Sequence, residues 1–170
     1  GYFMNDITCI STDDMKNWTD HGEVFHAKDS KWGAKMTWAP CVVHRNGKFY
    51  LYYGDANSGG IGVAVSDLPT GPYIDNHDRP VVGMDTPGVL LYDENNRCIK
   101  NKKGVPGAIS GSENWGMWCF DPCVFVDDDG QAYMYFGGAH PDNSRIIKLK
   151  ENMTEVDGSA VKPNTPGFFE

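Results

Sequence analysis

Asp121 and Glu170 each follow a phenylalanine, and Asp121 opens the apolar run Cys123–Val126 from in front of a proline. A carboxylate at the mouth of an apolar strand is costly unless hydrogen-bond partners or a chemical task compensate. Two such carboxylates at equivalent places in a fold can divide the labour of general acid–base catalysis. One holds its proton for donation while the other stays ionised beside it. The plainer alternative for Asp121 is an acceptor of backbone N–H groups at a strand end. The stretch alone does not choose between them.

The elements that must position these groups are repeated. Cys119–Gly138 consists of two apolar runs separated by Asp127-Asp128-Asp129-Gly130, which predicts a β-hairpin buried on both faces. Trp38–Gly54 follows the same plan: an aromatic, a small or acidic residue, Pro, Cys, Val, a polar turn ending in Gly, an aromatic run, then Gly. Pro40 and Pro122 lie 82 residues apart, and Asp121 takes the place of Ala39. Phe169-Glu170 begins a third copy, 49 residues beyond Phe120-Asp121. A second signature also recurs. Asp14-Met15, Asp67-Leu68 and Asn152-Met153 each follow a short β-type run at spacings of 53 and 85, and predict side-chain-capped outer turns, the first stapled by Trp18.

Each unit therefore reads as strand, turn, strand, loop, strand, capped turn, strand. Such four-stranded antiparallel blades stack radially into a β-propeller. The expected all-β chain is a fragment of about three blades of one propeller domain. Residues 1–170 supply the end of blade 1, blades 2 and 3, and the start of blade 4. A long inserted loop covers about residues 83–118, with a small hairpin at Val89–Tyr92 and Cys98–Lys100.

Composition agrees. Twenty glycines, ten prolines and 12% aromatics in 170 residues suit an all-β fold with many turns. The net charge of −8 and the lack of any basic run argue against nucleic-acid partners, and no apolar stretch is long enough to span a bilayer. Five cysteines, Cys9, Cys41, Cys98, Cys119 and Cys123, favour small buried thiols over a disulfide framework. They lean the location toward the cytoplasm, a secreted bacterial location being the alternative. Because the chain starts at Gly1, its natural start and any signal peptide are expected outside it.

In a propeller the first strand of every blade lines the central axis, so Ala39, Asp121 and Glu170 are expected to converge at one end of the channel. Trp38, Phe120, Phe169 and Trp118 would wall it. Paired carboxylates flanked by aromatics suit glycoside cleavage, in which a proton donor and a base or nucleophile act on opposite sides of a sugar ring. Trp38-Ala39-Pro40, Phe120-Asp121-Pro122 with Asp127–Gly130, and Phe168-Phe169-Glu170 together resemble the family 43 glycoside hydrolases. These are five-bladed propellers that include α-L-arabinofuranosidases, β-xylosidases and endo-arabinanases.

The resemblance implies inverting hydrolysis of an arabinose- or xylose-containing oligo- or polysaccharide such as arabinoxylan, arabinan or xylan. It makes Glu170 the general acid and Asp121 the residue that tunes its pKa and orients substrate. The general base has no counterpart here and is expected upstream of Gly1, so the remainder of the propeller is an expected partner. No cofactor is required, although a structural calcium in the central channel is compatible with the resemblance. Asp127–Asp129 reads as a turn instead of a calcium loop, and no histidine is assigned a role. The alternatives are a non-catalytic carbohydrate-binding propeller or a related fructan or sucrose hydrolase. Phe120 stands where the latter carry arginine. A sialidase would need an arginine triad, and Arg45, Arg79, Arg97 and Arg145 supply none at a strand entrance.

Overall fold

A computed structural model of the chain describes residues 3–100, 103, 104, 106, 116–138 and 143–164. Among them there are nine strands, one 3₁₀ turn at Ala27–Asp29, and no α-helix. The strands are β1 (Asp6–Ser11), β2 (Thr19–His26), β3 (Trp38–Arg45), β4 (Lys48–Asp55) and β5 (Gly60–Ser66). They continue with β6 (Cys123–Val126), β7 (Ala132–Phe136), β8 (Arg145–Leu149) and β9 (Val156–Val161). They form three antiparallel sheets in chain order: β1-β2, β3-β4-β5 and β6-β7-β8-β9.

The middle sheet is packed on both faces, and its sequence explains why. Along β4, Leu51 and Tyr53 alternate with Tyr50 and Tyr52. Leu51 and Tyr53 join Val24, Phe25, Ala34, Ala64 and Tyr73 on the side of β2. Tyr50 and Tyr52 face the last sheet with Ile61, Val63, Val124, Met134, Phe136 and Ile147. Burying such side chains contributes roughly 1.5–3 kcal/mol each, so this strand dominates the core. The Tyr52 hydroxyl, desolvated in that core, donates to the Met153 carbonyl at 2.7 Å and ties the two sheets together.

The hairpin turns follow local rules. Asn46 and Gly47, at φ 51° and 75°, let Arg45 pair with Lys48 across a two-residue turn with both central residues left-handed. In the longer β6–β7 turn, Asp127 Oδ1 accepts from Asp128 N and Asp129 Oδ1 from Gln131 N, both at 2.8 Å. Those carboxylates serve the turn. Within the insertion, Tyr92 pairs with Cys98, and Ile99 N donates to the Leu91 carbonyl at 2.8 Å, giving the small hairpin expected there.

Three expectations need correction. The Cys119–Gly138 hairpin is not buried on both faces among the described residues: Phe125 is 52% exposed and Cys123 is exposed. Cys119, Val124, Ala132, Met134 and Phe136 are buried in the core shared with the neighbouring sheet, and Val126 packs against it. The second unit lacks a full fourth strand, because beyond β5 only isolated bridges form, Val65 with Ile74 and Ile61 with Val82. Trp18 does not staple its turn and is 54% exposed. Side-chain acceptors hold that turn instead: Thr12 Oγ1 takes the Met15 N–H, and Asp14 Oδ1 takes the Lys16 and Asn17 N–H groups. Met15 adopts φ 58°, the left-handed geometry for which glycine is usual.

Candidate active site

Ala39 and Asp121 share an uncommon backbone. Both precede proline, a position that favours extended geometry, yet their φ angles are 42° and 50°. Two non-glycine residues in the left-handed region, at matching places of two repeats, mark a backbone device used twice within this chain. Pro40 and Pro122 have no N–H to lose from the ladder, which suits them to an irregular strand start. In β3 the irregularity falls between Trp38, paired with Gly54, and Cys41, paired with Tyr52. In the last sheet the Gly137 N–H donates to the Phe120 carbonyl at 2.9 Å, so Phe120 and Gly137 repeat the Trp38–Gly54 relation.

The two entrances are adjacent. A Cβ added at Gly54 would lie 3.2 Å from the Phe120 Cα, so the last turn of β4 is closed directly against the Phe120–Asp121 backbone. Asp121 is half-buried, as are Trp38, Trp118 and Phe120, whereas Ala39 is exposed. The Trp118 and Phe120 rings meet edge to face, 5.9 Å apart at 77°. Trp118 lies over Gly59, where an added Cβ would be 2.4 Å from the indole. Gly59 stands at φ 68° in the β4–β5 turn and so serves both that turn and the ring above it. Trp38, Ala39, Trp118, Phe120 and Asp121 are thus gathered at one end of two neighbouring sheets. Phe169 and Glu170 lie outside the described residues.

Sequence reasoning missed the polar residues that hold this end in place. Asp55 is buried and accepts from Lys35 N, Met36 N, Asn57 N and Ser58 N at 3.1–3.3 Å. It fastens the approach to Trp38 to the turn beneath Trp118, and its acceptor positions are spent there. Asn143 Nδ2 donates to the carbonyls of Gly116 and Gly138 at 3.0 and 3.2 Å. Arg145 opens β8, the third strand of its sheet, and not one of the inner-strand entrances at Ala39 and Asp121. Its buried guanidinium donates to the carbonyls of Val89 at 3.0 Å, Gly88 at 3.3 Å and Ser144 at 2.9 Å. Asn143 and Arg145 therefore pin both ends of the insertion to the last sheet. The signal was an Asn-Ser-Arg run before an apolar strand, whose burial no local pattern reveals.

A second buried network lies away from the entrances. The Asp75 carboxylate accepts from the Tyr53 hydroxyl at 2.6 Å, Trp32 Nε1 at 2.9 Å and His77 N at 3.0 Å, and meets the His77 ring at 2.9 Å. Burial and this carboxylate push the Tyr53 phenol well above its usual range. Cys119, buried beside Met117, has its thiol pushed up to about 12 by desolvation. Among the described residues no three His, Cys, Asp or Glu side chains gather as metal ligands.

The family profile described as glycosyl hydrolases family 43 matches residues 1–104. The arabinoxylan arabinofuranohydrolase of Bacillus subtilis (strain 168) is 37% identical over 98% of this chain and 33% of its own length. The enzyme of the same name from Paenibacillus polymyxa is 39% identical over 98% of this chain and 26% of its own. Among solved structures, an α-L-arabinofuranosidase from Clostridium thermocellum ATCC 27405 superposes with a TM-score of 0.78 at 54% identity. That match covers 98% of this chain and 48% of the other. The chain thus spans a third or less of these curated relatives and about half of the solved one. Its antiparallel sheets are those of a propeller fragment about three blades long, and the chain belongs to glycosyl hydrolase family 43.

Proposed function

We propose that the full-length protein is an inverting glycoside hydrolase of arabinose- and xylose-containing plant polysaccharides, removing arabinofuranosyl groups from arabinoxylan. The observation that carries this reading is the matched left-handed pair, Ala39 and Asp121, which sets one carboxylate at two adjacent strand ends walled by aromatics. Asp121 stays ionised, accepts a sugar hydroxyl and raises the pKa of Glu170 by like-charge repulsion. Glu170 protonates the departing oxygen, and a base contributed by another segment activates water on the opposite face of the ring. Trp38, Trp118, Phe120 and Phe169 present ring faces to the sugar, and Ala39 leaves room beside Asp121. The names of the Bacillus and Paenibacillus relatives support the choice of polysaccharide.

The test is incubation of the full-length protein with arabinoxylan, following the anomeric signals of newly freed arabinose by proton NMR. The expected product appears first with inverted configuration. Retention would overturn single displacement. Binding of the polysaccharide without release of any sugar would make the protein a carbohydrate binder, and release of fructose from inulin in place of arabinose would place it with the fructan hydrolases.

A further inference from the structure

Cys41 and Cys123 occupy the same place in the two repeats, each two residues beyond its left-handed residue. Their strands, β3 and β6, lie side by side as the inner edges of neighbouring sheets. The Val124 N–H donates to Cys41 Sγ at 3.3 Å. Standard backbone geometry places that nitrogen about 2.4 Å from the Cys123 Cα, so the Cys41 sulfur lies within about 6 Å of that Cα. The Cys41 and Cys123 side chains also meet each other, so rotation about the two Cα–Cβ bonds is what separates the thiols from disulfide geometry. Both thiols are free; Cys41 is half-buried and Cys123 exposed.

We propose that Cys41 and Cys123 are an oxidisable pair, a disulfide-forming site that staples the inner strands of two neighbouring sheets just behind Ala39 and Asp121. The assignment is independent of the hydrolase reading. The exposed Cys123 reacts first, as its thiolate, with a small disulfide such as oxidised glutathione. The oxidant's S–S bond breaks, one glutathione thiolate leaves, and a mixed disulfide forms on Cys123. Cys41 then gives its proton to solvent and attacks the Cys123 sulfur. The protein disulfide forms and the second glutathione leaves. Two protein thiols are oxidised by two electrons, and one glutathione disulfide is reduced to two thiols. Desolvation holds the Cys41 thiol above its usual range, and the neighbouring Cys123 adds to this, so the second step is the slower and quickens as pH rises.

The experiment oxidises the native full-length protein with glutathione disulfide, quenches with an alkylating reagent at intervals, and maps peptides without reduction. The expected result is a transient glutathione adduct on Cys123, replaced by a peptide pair joined through Cys41 and Cys123. Closing this ring should raise Tm by about 5–10 °C, a gain that dithiothreitol reverses. In Cys41→Ser the adduct on Cys123 should persist. In the unsubstituted protein, a persisting adduct, absence of oxidation at both residues, or linkage of either to Cys9 or Cys98 would each overturn the pair. The map of the unsubstituted protein decides the matter even where a serine variant fails to fold.

Discussion

The two strand entrances at Trp38-Ala39-Pro40 and Phe120-Asp121-Pro122 are nearly the same object built twice. Each has an aromatic residue facing a glycine, a left-handed residue, a proline without a ladder N–H, and a cysteine on the strand that follows. They differ in the one side chain at the left-handed position. An alanine there gains nothing from the conformation, whereas aspartate tolerates it better and brings a carboxylate to that position. The comparison teaches that the repeat supplies the position, and that the chemistry proposed for it rests on a single side chain. The supports differ as well. Beyond Gly54 the buried Asp55 gathers backbone N–H groups, while beyond Gly137 Asn143 and Arg145 gather carbonyls.

The largest expected effect comes from removing the chemistry and keeping the position. In the full-length protein, Asp121→Asn should lower turnover on good and poor leaving groups alike and move the basic limb of the pH–rate profile downward. With the neighbouring negative charge gone, the Glu170 pKa falls, and its proton is lost at lower pH. Glu170→Gln should cost ~10²–10⁴-fold on poor leaving groups and much less on activated aryl glycosides, which need little protonation to depart. An unmoved basic limb would sink the tuning role of Asp121, and equal losses on both substrate types would sink Glu170 as the acid.

The facing glycines sharpen the comparison on the side of stability. An alanine Cβ at Gly137 would stand 2.4 Å from the Asn143 carbonyl oxygen, at φ 82°, so Gly137→Ala is expected to cost about 3 kcal/mol or more. At Gly54 the nearest atoms are at 3.2 Å, and the same change should cost about 1 kcal/mol. Urea unfolding of the two variants checks the order; similar losses would mean the two ends are not held differently.

A smaller effect probes the shared backbone. Ala39→Gly removes a left-handed penalty of about 1–2 kcal/mol and adds unfolded-chain entropy of about 0.5–1 kcal/mol, for a net gain of up to ~1.5 kcal/mol. Asp121→Gly should gain less, since aspartate bears the conformation more easily. A loss of stability in Ala39→Gly would show that the strain is not there to relieve.

The smallest effect lies in the outer turn. The Asn17 and Lys16 N–H groups hold the Asp14 carboxyl at about 2, below its usual 3.8. A depressed folded value contributes stability above the unfolded pKa and loses it as pH falls through the folded one. Asp14→Ala should therefore lower Tm slightly at neutral pH, and the difference should fade between about pH 4 and 2. A gap that persists at pH 2 would assign the effect to packing instead.

Much of the fold was legible because repetition is a one-dimensional signal. Two apolar runs around an Asn-Gly or Asp-Gly turn must pair locally, and the alternation along Lys48–Asp55 separates the two faces of a strand before any partner is known. The matching of Ala39 with Asp121 came from the same source. Burial is another matter, because it depends on what lies across the sheet. Trp18 carries the pattern of a packed residue and is half exposed, whereas Arg145 carries the pattern of a surface residue and is buried. The positive φ before each proline runs against local preference and is not legible from the sequence. Chain-local energies therefore determined the strands, their turns and the place of the carboxylate. Contacts between residues distant in sequence decided how that carboxylate is held, because the carbonyls of Gly88, Val89 and Gly116 become partners of Asn143 and Arg145 only when the insertion lies against β8.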